Sequence, residues 1–254
     1  MNALFDVSGR HVLVTGATKG IGEMITRGFH AAGAVVYVSS RTAADCDALA
    51  ADLGDRAVSV SADASSQEGC RSLAAAVGEH TDRLDVLINN AGATWGAPLE
   101  EYPDDGWDKV LALNLKGPFH LTVACLPLLR EAADPGYPAR VINIGSVDGM
   151  HVPMWESYAY SASKAGVHHL TRHVAKRLAP EHITVNAIAP GIFPSRMTRF
   201  AFEEGEEELI AATPLGRTGE PDDAAGAAIF LASRAASWIT GAVLPVDGGY
   251  VTLQ

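Results

Sequence analysis

Short runs rich in β-branched residues alternate along the chain with longer stretches in which apolar and polar positions recur at helical spacing. The runs are His11–Thr15, Ala34–Val38, Arg56–Ser61, Leu84–Ile88 and Ala139–Gly145, and a sixth ends at Pro190. Most are almost continuously apolar, as expected of strands covered on both faces. Between them lie helix-like segments at 21–32, 66–80, 106–129 and 155–179. Strand and helix taking turns in this way predict an α/β domain built on a parallel sheet.

Composition narrows the picture without changing it. A chain of 254 residues, 48% hydrophobic, fits one large domain, taken here as 1–254. No apolar run approaches the length of a membrane span, and the first residues carry no basic, apolar leader. Cys46, Cys70 and Cys125 are widely spaced and form no Cys-x-x-Cys pair. Free thiols in a reducing cytoplasm are therefore expected. A net charge of −11 argues against nucleic acid as a partner.

Candidate chemistry begins after the first strand, where Gly16-x-x-x-Gly20-x-Gly22 opens a helix. Strand, glycine loop and helix N-terminus together hold a pyrophosphate through backbone N–H groups. A site selective for NAD places a carboxylate about 20 residues further on, to bind the ribose 2′-hydroxyl. The second strand instead ends in Ser39-Ser40-Arg41-Thr42, and Lys19 adds a cation inside the loop. Guanidinium suits a 2′-phosphate, so NADP(H) is the expected cofactor. Asp45 and Asp47 fall in the next helical stretch and are not assigned the ribose. Asp63, closing the third strand, could face the adenine amino group. Asn89, Asn90 and Gly92 end the fourth strand at the edge where open α/β sheets bind ligands. Ser146 follows the fifth. Asn114 stands within the helical stretch 106–129, against its propensity.

Ser157-Tyr-Ala-Tyr-Ser-Ala-Ser-Lys164 opens the next helix. Residues four apart share a helix face, so Tyr160 and Lys164 can enter one cleft. A nearby ammonium favours phenolate and is expected to lower the tyrosine pKa, making the pair a proton-transfer device. Tyr158 has Ala162 in the equivalent place and is the weaker candidate.

Thr15-Gly-x-x-x-Gly-Ile-Gly22, Asn89-Asn-Ala-Gly92, Asn114, Ser146, Tyr160-x-x-x-Lys164 and Pro190-Gly191 resemble, in order, the motifs of the short-chain dehydrogenase/reductase family. Pro214-Leu-Gly-Arg217 and Val246-Asp-Gly-Gly249 extend the resemblance to about residue 250. It implies a Rossmann-type, doubly wound, seven-stranded parallel sheet of order 3-2-1-4-5-6-7 with helices on both faces. It also implies a homotetramer formed through 106–129, 155–179 and the last strand. By the same resemblance Asn114, Ser146, Tyr160 and Lys164 are catalytic: Ser146 binds the carbonyl, Tyr160 donates the proton, and Asn114 anchors a water that recharges it through Lys164. The implied cofactor contacts are Gly16, Thr18, Lys19, Gly20, Ile21, Gly22, Ser40, Arg41, Asp63, Ala64, Asn90, Ala91, Gly92, Tyr160, Lys164, Pro190, Gly191, Phe193 and Ser195. Phe193 and Ser195 stand where isoleucine and threonine are common, and the interval from Ser146 to Tyr160 is one residue longer than in many members.

Within the family the chain is most similar to the β-ketoacyl-[acyl-carrier-protein] reductases. That implies NADPH-dependent reduction of a 3-oxoacyl thioester on acyl carrier protein or coenzyme A. An NADP-dependent alcohol, steroid or sugar dehydrogenase with the same four residues is the alternative, and a non-catalytic NADP(H) sensor a remote one. Residues 193–213, with Phe200, Phe202 and glutamates 203, 204, 206, 207 and 208, read as a lid-like insertion. Met150, Met154, Trp155, Trp95 and Phe193 are candidates for an apolar pocket. His169 and His173 stand four apart with no third ligand pattern, so no metal site is expected.

Overall fold

The computed structural model describes residues 3–195, 198, 205, 207–251 and 253. Its centre is a seven-stranded parallel sheet in the order β3-β2-β1-β4-β5-β6-β7. The strands are β1 (His11–Thr15), β2 (Val35–Ser39), β3 (Ala57–Ser59), β4 (Val86–Asn89), β5 (Ala139–Ile144), β6 (Ile183–Pro190) and β7 (Val243–Val246). The expected third strand is shorter than Arg56–Ser61 by one residue at its start and two at its end. The helices are α1 (Gly20–Ala31), α2 (Ala43–Leu53), α3 (Gln67–Gly78), α4 (Asp104–Leu111), α5 (Gly117–Ala132), α6 (Tyr158–Leu178) and α7 (Pro221–Ala232).

Alternation along each strand divides the core in two. Val12, Val14, Val36, Val38, Val86, Ile88, Ile142 and Ile144 face α1, α2 and α7. Leu13, Tyr37, Leu87 and Val141, one position out of phase, face α3, α5 and α6. Every strand of the centre is thus buried on both sides, and polar residues within it are paired, as where Asn89 Nδ2 donates to Asn143 Oδ1 (2.8 Å). Full burial of one such valine or leucine side chain contributes about 1.5–3 kcal/mol.

Two departures from expectation bear on function. The stretch 106–129 is not one helix: α4 and α5 are joined by a wide π-turn over Ala112–Lys116. Pro118 has no N–H to offer the Asn114 carbonyl four residues back, and the helix widens at that point. The second is the start of α6, which begins at Tyr158 rather than 155, so both tyrosines lie in its first turn. Phe200, Phe202, Glu203, Glu204 and Glu206 lie outside the described residues. Of the expected lid, Glu207 and Glu208 are exposed while Leu209 is buried. Among the described residues no helix is long and apolar enough to cross a membrane.

Candidate active site

The loops after β1, β4, β5 and β6 all emerge at the carboxyl edge of the sheet, beside the point where strand order reverses between β1 and β4. At the end of β1 the Thr15 hydroxyl donates to Ile88 O (3.3 Å) and accepts from the amides of Asn90 (3.0 Å) and Ala91 (3.1 Å). Asn90 Nδ2 returns bonds to Thr15 O (2.9 Å) and Gly16 O (3.2 Å). Gly16 has φ +63°, a left-handed turn that a side chain would strain. A Cβ on Gly22 would fall 2.1 Å from Gly16 O, so the loop lies flat against the start of α1. Lys19 stands at the N-cap of that helix, but its side chain makes no capping hydrogen bond, leaving the first amides open to an anion. Thr18 and Ile21 are partly buried along this turn. Ser195 joins it from the other side, since a Cβ on Gly20 would stand 3.1 Å from Ser195 Cβ. Gly191, just past Pro190 at the end of β6, packs against Asp247.

The expected 2′-phosphate cations fare differently. Lys19 Nζ is bonded to Asp45 (2.7 Å), an acid in the first turn of α2. Arg41 is exposed and ion-pairs with no carboxylate among the described residues. Ser40 Oγ beside it contacts Thr42 O (3.2 Å) and Cys46 Sγ (3.1 Å). Asp63 turns its carboxylate onto its own loop, accepting the Ser65 amide (3.0 Å). That bond, then the Ser65 hydroxyl and the Arg41 charge, hold its acid below the usual carboxylate range. Ala64 is packed under α5, where a Cβ on Gly117 would meet its carbonyl at 2.6 Å.

Ser146 leaves the end of β5 and caps a short turn, its Oγ accepting the Asp148 amide (3.1 Å). The Ser146 hydroxyl lies near enough to the Tyr160 phenol to act on its acidity. Lys164 Nζ lies 5.4 Å from the Tyr160 ring centroid and donates to Ile144 O (2.7 Å). The loop after β4 closes on the same group, for a Cβ on Gly92 would stand 3.9 Å from Lys164 Nζ. Tyr158 turns away and donates to the Glu156 carboxylate (2.8 Å). Helical register therefore selects Tyr160.

The direction of its pKa overturns the expectation. Burial pushes the Tyr160 phenol up to about 12; the Ser146 hydroxyl opposes this and the Asp148 charge adds to it. Burial likewise brings Lys164 down to about 8, against the pull of Asp148. Removal from water is the largest cause of both shifts. Tyr160 is thus a phenol throughout the neutral range, suited to giving a proton.

Asn114 uses its side chain as a brace. Oδ1 accepts Ala93 N–H (2.8 Å), and Nδ2 donates to Ala93 O (2.9 Å) and Ser163 Oγ (3.0 Å). These bonds tie the π-turn to the loop after β4 and to α6. Phe193 does not line a pocket: it is 2% exposed, packed in the core with its ring against Gly219. Trp95 lies over Gly106 and Lys109 of α4. Met150 and Met154 are exposed beyond the Ser146 turn, and Trp155 is partly buried. His169 and His173 are exposed.

Two residues of this site escaped the sequence reading. Asp148, two positions past Ser146, is a partly enclosed acid whose pKa burial raises, opposed by His151 and Lys164. His168, one turn beyond Lys164, is buried. Its signal was the same spacing of four that singled out Tyr160 and Lys164.

A family model described as enoyl-(acyl carrier protein) reductase matches residues 16–251. The rhamnolipids biosynthesis 3-oxoacyl-[acyl-carrier-protein] reductase of Pseudomonas aeruginosa is 48% identical over 98% of this chain and 99% of its own. A solved Pseudomonas aeruginosa RhlG/NADP active-site complex superposes with a TM-score of 0.95, at 48% identity over 98% of this chain and 99% of that one. Galactitol 2-dehydrogenase (L-tagatose-forming) of Cereibacter sphaeroides is 40% identical over 97% of each chain. With the sheet order, the glycine turn and the Ser146, Tyr160 and Lys164 cluster in hand, the chain belongs to the short-chain dehydrogenase/reductase family of oxidoreductases.

Proposed function

We propose that this protein is an NADPH-dependent reductase of 3-oxoacyl thioesters. The observation that carries the reading is the Ser146–Tyr160 hydroxyl pair, set beside Lys164 at the mouth of a glycine turn. When bound, NADPH supplies the hydride. Gly16, Gly20, Gly22 and the open amides of α1 would hold its pyrophosphate, and Arg41 its 2′-phosphate. Ser146 donates to the substrate carbonyl oxygen and fixes its distance from Tyr160. Tyr160 would give its proton to the developing alkoxide oxygen. Stabilising charge that develops only in the transition state is what accelerates the step. Lys164 keeps a cation near that charge and would bind the ribose hydroxyls. Asn114, through its bonds to Ala93 and Ser163, keeps the π-turn against this cluster, where a water can recharge Tyr160.

The apolar reading of the substrate rests on Met150, Val152 and Met154, 46%, 92% and 76% exposed just past the Ser146 turn. An acyl chain covers such a wall, whereas a polyol leaves hydroxyls unpaired against it. Sugar dehydrogenation is the second reading, favoured by the 40% identity to galactitol 2-dehydrogenase and by Asp148 and His151 near the same turn. The acyl group is carried by coenzyme A or acyl carrier protein. A homotetramer is supported by Phe119 and Val123, exposed one turn apart on α5. Three free, buried thiols fit a cytoplasmic setting. The test is NADPH oxidation with four- to ten-carbon 3-oxoacyl thioesters beside polyols and steroid ketones. Turnover that rises with acyl length supports the reading; turnover of polyols alone overturns it.

A further inference from the structure

His168 has no part in the steps above, yet it lies on the same face of α6 as Tyr160 and Lys164. It is 4% exposed, and its Nε2 has no hydrogen-bond partner among the described residues. Burying a polar atom in that state is costly, and an aliphatic side chain would avoid the cost. What distinguishes the imidazole is its flat shape and what it touches. A Cβ on Gly145 would come within 2.1 Å of His168 Nε2, and one on Gly149 within 2.9 Å of Cε1. Those two glycines bracket the Ser146 turn. Their backbones are already tied: Gly145 N–H donates to Ile188 O (2.7 Å) and Gly149 N–H to Ser146 O (3.1 Å). A Cβ on Gly149 would also meet the Lys164 carbonyl carbon at 2.6 Å. The ring is therefore a wedge between α6, which carries Tyr160, and both ends of the segment that carries Ser146.

We propose that His168 is a positioning residue: its ring, wedged against Gly145 and Gly149, sets where the Ser146 hydroxyl lies relative to Tyr160. Burial and the charges of Lys164 and Arg172 bring its pKa down to about 4, against the opposing pull of the Gly149 backbone, so the wedge is neutral across the working range. The inference rests on Ser146 binding the substrate carbonyl.

A double-mutant cycle tests it, with rates measured at saturating NADPH and 3-oxoacyl thioester, and NADPH affinity by fluorescence. His168→Ala should lower kcat about tenfold or more, the scale on which small misplacements act, with NADPH affinity held within about twofold. His168→Asn, planar and neutral, should recover part of the loss. In a Ser146→Ala background His168→Ala should cost less than about twofold, because the residue it positions is gone. An equal, tenfold loss in both backgrounds, or no loss in the parent, overturns the positioning role. Full turnover by Ser146→Ala alone overturns the site reading instead, and this inference with it. Should His168→Ala fail to fold, His168→Asn enters the same cycle with the same deciding outcomes.

Discussion

Gly22→Ala probes the cofactor turn with one methyl group. The added Cβ would stand 2.1 Å from Gly16 O and 2.3 Å from Asn90 Nδ2, against roughly 3.5 Å for an unstrained contact. Neither atom is free to retreat. Asn90 Nδ2 holds Thr15 O and Gly16 O, and Gly16 is fixed in a left-handed turn. The start of α1 must move by about 1 Å or the Asn90 bonds must break. Overpacking costs roughly 1–3 kcal/mol, and the two hydrogen bonds about 1 kcal/mol each if lost. Exchanging glycine for alanine in a helix returns up to about 1 kcal/mol. With both bonds lost the net is about 2–4 kcal/mol, a fall in Tm of roughly 4–16 °C for a chain of this size. If the same turn presents the pyrophosphate amides, as proposed, the Kd for NADPH should rise at least about tenfold, or 1.4 kcal/mol. Gly78→Ala is the control, since a Cβ there meets nothing within 4 Å; it should leave Tm unchanged or raise it. Thermal unfolding and NADPH fluorescence titration read both effects. A Gly22→Ala protein that melts with the parent and binds NADPH equally would refute the packing described.

Arg41→Ala should weaken NADPH at least about tenfold and leave NADH unaffected, while Lys19→Ala does less because Asp45 already holds that charge; equal NADPH and NADH affinities in the parent would contradict this. Lys164 has its pKa lowered to about 8, so its charge is present below that value and lost above it. The kcat for reduction should hold from pH 6 to about 8 and then decline, whereas a flat profile to pH 10 would remove Lys164 from the step. His168 binds a proton at pH 6.5 when unfolded but only at about 4 when folded. In that window the unfolded chain holds more protons, so stability falls as pH drops from about 6.5 to 4, by at most about 3 kcal/mol. Urea midpoints at pH 7 and pH 4 should differ less in His168→Leu than in the parent; an equal difference would contradict the buried, neutral histidine.

The sheet was legible because its strands are buried on both faces, so runs such as Val12–Val14 and Val36–Val38 are continuously apolar. Strand order followed from the resemblance and not from periodicity. The candidate site's clustering was legible where chemistry and spacing coincide, as in Gly16 and Gly22 or Tyr160 and Lys164. It was not legible where the outcome depends on surroundings. The sign of the Tyr160 shift is set by burial, which four residues of helix do not reveal. Lys19 meets Asp45 across 26 positions, and Phe193 turns into the core because Gly219 leaves room for its ring. The π-turn at Ala112–Lys116 combines a missing amide at Pro118 with an asparagine whose partners, Ala93 and Ser163, come from two other elements.

The central claim is that Tyr160 gives the proton when a 3-oxoacyl thioester is reduced. It is tested most directly by single-turnover NADPH oxidation with a ten-carbon 3-oxoacyl thioester, comparing Tyr160→Phe with Tyr158→Phe. Tyr160→Phe should be slower by at least about 100-fold, in keeping with the loss of a positioned general acid, while its NADPH affinity stays near the parent's. Tyr158→Phe, which loses only a bond to Glu156, should remain within about threefold. A Tyr160→Phe enzyme that still turns over at the parent's rate would contradict the account.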